Sequence, residues 1–290
     1  MTESGATAAS PCIWRTSRRT LELSRRPLIM GILNLTPDSF SDGGLWSDPG
    51  RAVARAVEMV DEGADIIDIG GESTRPGAAP VPAEEELRRI MPVIMRLTGS
   101  LDVPLSIDTT KSVVATRALA AGAEIINDIS GLTFDTGMAE TVAAVRAGLV
   151  IMHTRGRPDV MQNDTFYHSV VADVYSSLAS SLDRARRAGV PEECIVVDPG
   201  IGFGKDRAGN LELLRRLREF LALGRPLLVG TSRKGFTGTV GGRNIDNRLF
   251  TTAATVAIAV ANGAALLRVH DVAVMRDVAD MAREITCCPM

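Results

Sequence analysis

The sequence predicts a single-domain (β/α)8 barrel, and three observations carry that prediction. A phrase made of a helical run, a Gly-containing small pair and a short apolar strand recurs along the chain. The strands it contains are β-branched and almost wholly apolar, as parallel strands buried on both faces must be. Nearly every one of them ends on a polar residue, at the edge where a parallel barrel gathers its strand ends. A length of 290 residues is ordinary for one such barrel.

Taken in order, the first strand is residues 28–34, ending at Asn34. Before it, residues 13–26 are expected to form a small hairpin under the barrel, and residues 1–12 to be disordered. The recurring phrase then appears at 61–70, 120–128, 146–153, 187–198 and 261–270, with Gly63, Gly122, Gly148, Gly189 and Gly263 where a helix end needs a left-handed residue. Strands at 104–109 and 226–231 complete the eight. Asp48 can cap and Pro49 can open a helix that carries Ala52, Val53, Ala56, Val57 and Val60 on one face. Further outer helices are read at 84–96, 164–188, 210–223 and 247–261. No linker divides the chain, so the barrel is placed at 13–285 with a frayed tail at 286–290.

Composition excludes several function classes. Aromatic residues are 4% of the chain, so the core must be aliphatic, as barrel interiors are. A net charge of −3 argues against a nucleic-acid binder, which needs a basic face. The longest uncharged apolar stretch, 251–267, is short of the ~20 residues a membrane span requires and is interrupted by Asn262 and Gly263. Residues 1–26 hold five arginines and no apolar signal region, and the four cysteines have neither metal nor redox spacing. The expected setting is cytoplasmic.

The polar strand ends are Asn34, Asp68, Asp108, Asn127 with Asp128, His153, Asp198, and Arg268 with His270. Any one of these could be a turn or cap residue, but together they describe a mouth built for polar chemistry. Two Gly-, Pro- and Ser-rich loops, 35–48 and 70–82, follow strands and suit mobile covers. The run Gly200-Ile-Gly-Phe-Gly-Lys205 has neither of the usual phosphate-loop spacings, and the scattered His153, His168 and His270 lack zinc-ligand spacing.

Seven segments, in order, carry a resemblance: MGILNLTPDSFSDGG (30–44), IDIGGESTRPGA (67–78), SIDTTK (106–111), IINDISG (125–131), DPGIGFGK (198–205), TSRKGF (231–236) and RVHDV (268–272). Together they resemble the dihydropteroate synthase family, over residues 14–285. The resemblance implies condensation of p-aminobenzoate with a dihydropterin pyrophosphate, Mg2+ as cofactor, sulfonamide sensitivity and a homodimer formed through outer helices, with 251–261 as the candidate face. It also implies that Asp108, Asn127 and Asp198 hold the pterin above Met152, and that Lys234 bridges the pterin and aminobenzoate sites. Asn34, Arg268 and His270 match the pyrophosphate site, with Asn34 also the metal ligand. Thr74, Arg75, Pro76 and Phe203 match aminobenzoate contacts, and Asp42 an acidic residue that helps order the closed site.

The chemistry of these residue types agrees. A carboxylate accepts two adjacent pterin N–H donors, an Arg fork suits phosphate, and Mg2+ takes oxygen ligands. Arg268 and His270, two apart on a strand, point to the same side. One departure bears on function: the family often has Ser or Arg after the lysine, and this chain has Gly235, which can offer only its backbone N–H to the aminobenzoate carboxylate. Thr154 also stands where the family often has Met. A pterin-binding methyltransferase or a non-catalytic pterin-binding paralogue would share the barrel, but each leaves several of the seven segments without a role.

Overall fold

The computed structural model describes residues 12–36, 48–238 and 248–287. A two-stranded antiparallel hairpin, β1 (Ile13–Arg15) and β2 (Thr20–Glu22), precedes the main body. Then come β3 (Leu28–Asn34), α1 (Pro49–Asp61), β4 (Ile66–Gly70), α2 (Ala83–Leu97), β5 (Leu105–Asp108), α3 (Ser112–Ala120), β6 (Ile125–Asp128) and α4 (Met138–Val145). The second half holds β7 (Gly148–Met152), α5 (Val170–Arg187), β8 (Ile195–Asp198), α6 (Arg207–Arg215), β9 (Leu227–Val229), the single turn α7 (Gly235–Gly238), α8 (Leu249–Ala261), β10 (Ala264–Val269) and α9 (Val272–Cys287). Strands β3 to β10 close into a parallel barrel, with β10 pairing β3. The expected (β/α)8 architecture is the observed one.

Two apolar layers hold it. Outside the barrel, residues such as Ile29, Ile67, Ile107 and Val197 pack against the helices. Inside, Met30, Ile66, Ile125, Val150, Val196, Leu228 and Leu266 form a second cluster together with Trp14. The alternation along each strand is the period-2 geometry of a pleated strand. Trp14 is fully buried, and its indole N–H donates to the carbonyl of Cys194 at 2.7 Å. The hairpin thus plugs the base of the barrel.

Local chemistry sets the element ends. Asp48 accepts from the Gly50 N–H with Pro49 at the first helical position, as expected. Gly63, Gly122, Gly189 and Gly263 all have positive φ. Gly148 does not: the left-handed residue after α4 is Arg146, at φ 52°. Gly148 instead opens β7, where a Cβ would lie 3.0 Å from Ile125 and 3.2 Å from Trp14. Its smallness, rather than its backbone freedom, makes room for the plug.

Other boundaries shift for stated reasons. On α1, Val57 is 42% exposed and Met59 takes the buried position. Helix α5 begins at Val170, not 164, because Asp164 is satisfied locally by the Phe166 N–H and Arg155. Helix α6 starts at Arg207, capped by Asp206, and gives way to a 3-10 turn, Leu217–Leu223, closed by left-handed Gly224. The Cys12 carbonyl accepts from the Leu23 N–H, and α9 is helical through Cys287. Among the described residues, no helix is long and apolar enough to cross a membrane.

Candidate active site

Strand register positions the site. Asn34, Gly70, Asp108 and Asn127 are successive partners across β3, β4, β5 and β6, so their side positions form one row near the strand ends. Asp198 pairs with Met152 across β7 and β8. Arg268 sits on β10 opposite Met30, and Asp68 on β4 opposite Ile32. Side chains of matching parity on neighbouring strands point to the same face, which in this row is the interior.

Above this row lies a cavity of about 590 Å³. Its wall includes Asn34, Arg268 and His270, which the sequence pointed to for an anion. Thr74, Arg75, Pro76, Phe203 and Gly235 line it too, and Lys234 stands among them. Asp108, Asn127, Asp198 and Met152 are buried and do not line this cavity. Met152 packs with Ile129, Met161 and Phe203 in a small apolar cluster. Asp42 lies outside the described residues.

Arg268 joins the two levels. It lines the cavity, and its Nε and Nη2 donate to Asp68 and Asp108, each at 2.6 Å. Arg268 is thus paired with two buried carboxylates while its side chain also faces the cavity. Burial lifts the Asp108 carboxyl to about 7, and Arg268 only partly opposes this. Burial likewise pushes the Asp198 carboxyl up, against the nearby Lys234 and the Gly200 N–H.

Lys234 donates to the Ile201 carbonyl, and its ammonium lies 4.5 Å from the centre of the Phe203 ring. Burial lowers it to about 8. His270 has its Nδ1 3.0 Å from Ser232 Oγ. Burial, then the charges of Arg233, Arg268, Arg75 and Lys234, hold His270 well below the ordinary imidazole range, so it is neutral at pH 7. Four cations act on this one imidazole, of which Arg233 is paired with Asp271 and Arg268 with Asp68 and Asp108.

The second loop is pinned rather than loose. Glu72 accepts from the Val81 N–H and from Lys111, whose ammonium also bonds the wholly buried Glu86 at 2.7 Å. The Gly77 N–H donates to Pro158, tying this loop to the segment after β7. Asn34 half-faces the cavity beside Gly70, where a Cβ would sit 3.5 Å from its Oδ1 and 3.9 Å from Asp108 Oδ2. Gly70 therefore leaves room for the Asn34 amide oxygen at the cavity, an oxygen donor of the kind Mg2+ uses.

Sequence reasoning missed some of this. Asp68 was noted as a polar strand end but given no role, although an apolar strand that admits one carboxylate is itself a signal of a buried cation nearby. Ser232, Met161 and the Glu72–Lys111–Glu86 group carried no recognisable spacing. The glycine run ending at Lys205 is not a phosphate loop: the buried Lys205 ammonium donates to the carbonyls of His153, Gly200 and Phe203.

A family model described as pterin binding enzyme matches residues 30–270. The dihydropteroate synthase of Synechocystis sp. is 47% identical over 259 residues, covering 89% of this chain and 90% of that protein. That of Bacillus subtilis is 45% identical over 268 residues, covering 92% and 90%. The chain belongs to the dihydropteroate synthase family. Among solved structures, the dihydropteroate synthase of Xanthomonas albilineans with 4-aminobenzoic acid superposes with a TM-score of 0.89 at 43% identity, covering 97% of this chain and all of that one. The Yersinia pestis dihydropteroate synthase in a sulfonamide drug complex gives 0.90 at 40% identity, covering 94% and 98%. This family consists of transferases, and the polar mouth is this chain's candidate active site. Within the family frame, Gly235 opens α7 with no atom within 4 Å of where a Cβ would point. Thr154 bonds the Gly156 carbonyl and serves a turn.

Proposed function

We propose that this chain condenses p-aminobenzoate with 6-hydroxymethyl-7,8-dihydropterin pyrophosphate, giving 7,8-dihydropteroate and pyrophosphate. The carrying observation is the two-level site, with a buried Asp108, Asn127 and Asp198 layer beneath a rim of Arg75, Arg233, Lys234 and Arg268 around neutral His270. The lower layer offers acceptors for the N–H edge of a pterin, with Met152 as apolar floor. The rim suits a pyrophosphate held by Asn34, Arg268 and His270. Thr74, Arg75, Pro76, Phe203 and the Gly235 backbone frame the aminobenzoate, with Lys234 between the two substrates.

Asn34 would hold Mg2+ together with pyrophosphate oxygens, and the ion would supply neutralisation of the leaving group's charge. The chain's own residues do the rest. Arg268 and His270 take up negative charge as the methylene C–O bond breaks and its electron pair leaves with pyrophosphate. Ionised Asp108 stabilises the positive charge delocalised over the pterin, in an SN1-like step. Arg75 and Phe203 then orient the neutral aniline nitrogen, whose lone pair forms the new C–N bond and which passes one proton to solvent water. Asp42, in the first loop, is assigned to ordering the closed site.

The test is pyrophosphate release with and without p-aminobenzoate and Mg2+. Release that depends on both supports the synthase; methyl transfer from methyltetrahydrofolate, or binding without turnover, supports a rival. Sulfonamides should compete with p-aminobenzoate. We also propose a cytoplasmic homodimer. Phe250 and Ile258 on α8, with Met281 and Ile285 on α9, leave apolar side chains on two adjacent helices. Phe250→Asp should convert a dimer to monomer in light scattering.

A further inference from the structure

We propose that Asp68 is a positioning residue for this reaction: one buried carboxylate oxygen sets both the guanidinium of Arg268 and the amide of Asn127, holding the pyrophosphate and pterin subsites in one register. The inference rests on the two-subsite reading above and deepens it.

Asp68 is fully buried on β4. Its Oδ2 accepts from Arg268 Nε at 2.6 Å and from Asn127 Nδ2 at 3.1 Å. The two donors come from strands on either side of β4: Arg268 from β10, separated by β3, and Asn127 from β6, separated by β5.

The consequences are specific. Asp68 Oδ2 accepts from Asn127 Nδ2, so the amide NH2 faces Asp68. The Asn127 Oδ1 is thereby turned the other way, ready to accept from a pterin N–H. On the second side, Asp68 takes Nε of Arg268 while Asp108 takes Nη2. The two bonds fix the plane of the guanidinium and so decide which edge it presents to a phosphate. Asp68 touches neither substrate in this scheme; it acts through its two partners.

The side-chain surroundings argue against a mere space-filler. Oδ1 of Asp68, Oδ1 of Asp108 and Oγ of Ser106, the register partner of Asp68, are all buried without hydrogen-bond partners among the described residues. A carboxylate kept in such a place is costly unless its geometry is used.

Calorimetric binding of two probes, 6-hydroxymethyl-7,8-dihydropterin and inorganic pyrophosphate with Mg2+, tests the idea on the full chain. Asp68→Asn should weaken both by about tenfold, the worth of one charge-assisted hydrogen bond at each subsite. In an Arg268→Ala background, Asp68→Asn should cost nothing further for pyrophosphate while keeping its effect on pterin. In an Asn127→Ala background the pattern should reverse. A purely structural role would give losses that add in both backgrounds, and that result, or unchanged affinity for either probe, overturns the proposal. Should Asp68→Asn not fold, Asp68→Glu keeps the charge but displaces the shared carboxylate oxygen from Arg268 Nε and Asn127 Nδ2; it should weaken both probes, and unchanged affinity for either overturns the proposal. Wild-type enzyme that binds neither probe overturns the subsite reading itself, which is distinct from wild-type binding with an indifferent Asp68→Asn.

Discussion

Asp108 and Arg268 lie 160 residues apart in sequence and meet through a 2.6 Å bond from Nη2 to Oδ2. The contact joins the carboxylate assigned to the pterin with the cation assigned to its leaving group, so the two halves of the reaction share one ion pair. Charge withdrawn from Arg268 by pyrophosphate leaves Asp108 more negative toward the ring.

Asp108→Asn should therefore lower kcat by about 10²-fold, the usual scale for removing one charged stabiliser of a transition state, with the fold retained. Steady-state kinetics beside a circular dichroism spectrum check this; unchanged turnover removes Asp108 from the chemistry.

The same carboxyl should tune stability with pH. It rises from 3.8 to about 7 on folding because burial disfavours its charge, so the folded chain holds the proton more tightly than the unfolded chain. Its contribution is present below about pH 4 and is lost as pH climbs through about 7. Thermal melts of the wild type should thus lose stability over that window, and Asp108→Asn should flatten the dependence.

Arg268→Ala should weaken binding of the pyrophosphate substrate by about 10- to 100-fold, as expected for a charged hydrogen bond, and binding of free pterin far less. It also strands two buried carboxylates, a loss of about 3–5 kcal/mol for a broken buried pair. Melts at pH 8 and pH 5 separate the effects, since protonating Asp108 at the lower pH should relieve part of the destabilisation. Equal losses of both ligands would place Arg268 elsewhere.

Gly235→Ser meets no steric obstacle and adds a hydroxyl beside Lys234 at the cavity wall. We expect the KM for p-aminobenzoate to fall by about tenfold through one hydrogen bond to its carboxylate, with sulfonamide inhibition strengthened in parallel. A rise in KM would show that the backbone N–H alone serves this contact.

Trp14→Ala should cost about 3–5 kcal/mol, the range for emptying a buried aromatic site, because it unplugs the barrel base and strands the Cys194 carbonyl. At temperatures where the protein stays folded, kcat should be unchanged, since the plug sits at the end opposite the site. Denaturant unfolding paired with kinetics decides it.

Much of this was legible in one dimension. Apolar runs of β-branched residues, glycines after helices and polar strand ends are local signals, and they specified the barrel, its eight strands and most of its mouth. Gly148 misled because a glycine can be chosen for its missing side chain as well as for its backbone, and only the approach of Trp14 reveals which. Likewise Asp164 reads as a helix start until Arg155 draws it into a loop.

By itself, the sequence determined which residue types stand at the ends of which strands, since side-chain alternation and turn chemistry depend on near neighbours in the chain. Only the closed barrel decided that Asp68 and Asp108 share Arg268, that His270 is neutral among four cations, and that Lys205 is spent on carbonyls. Those outcomes depend on strand register and on burial, which set distances and dielectric between groups far apart in the chain.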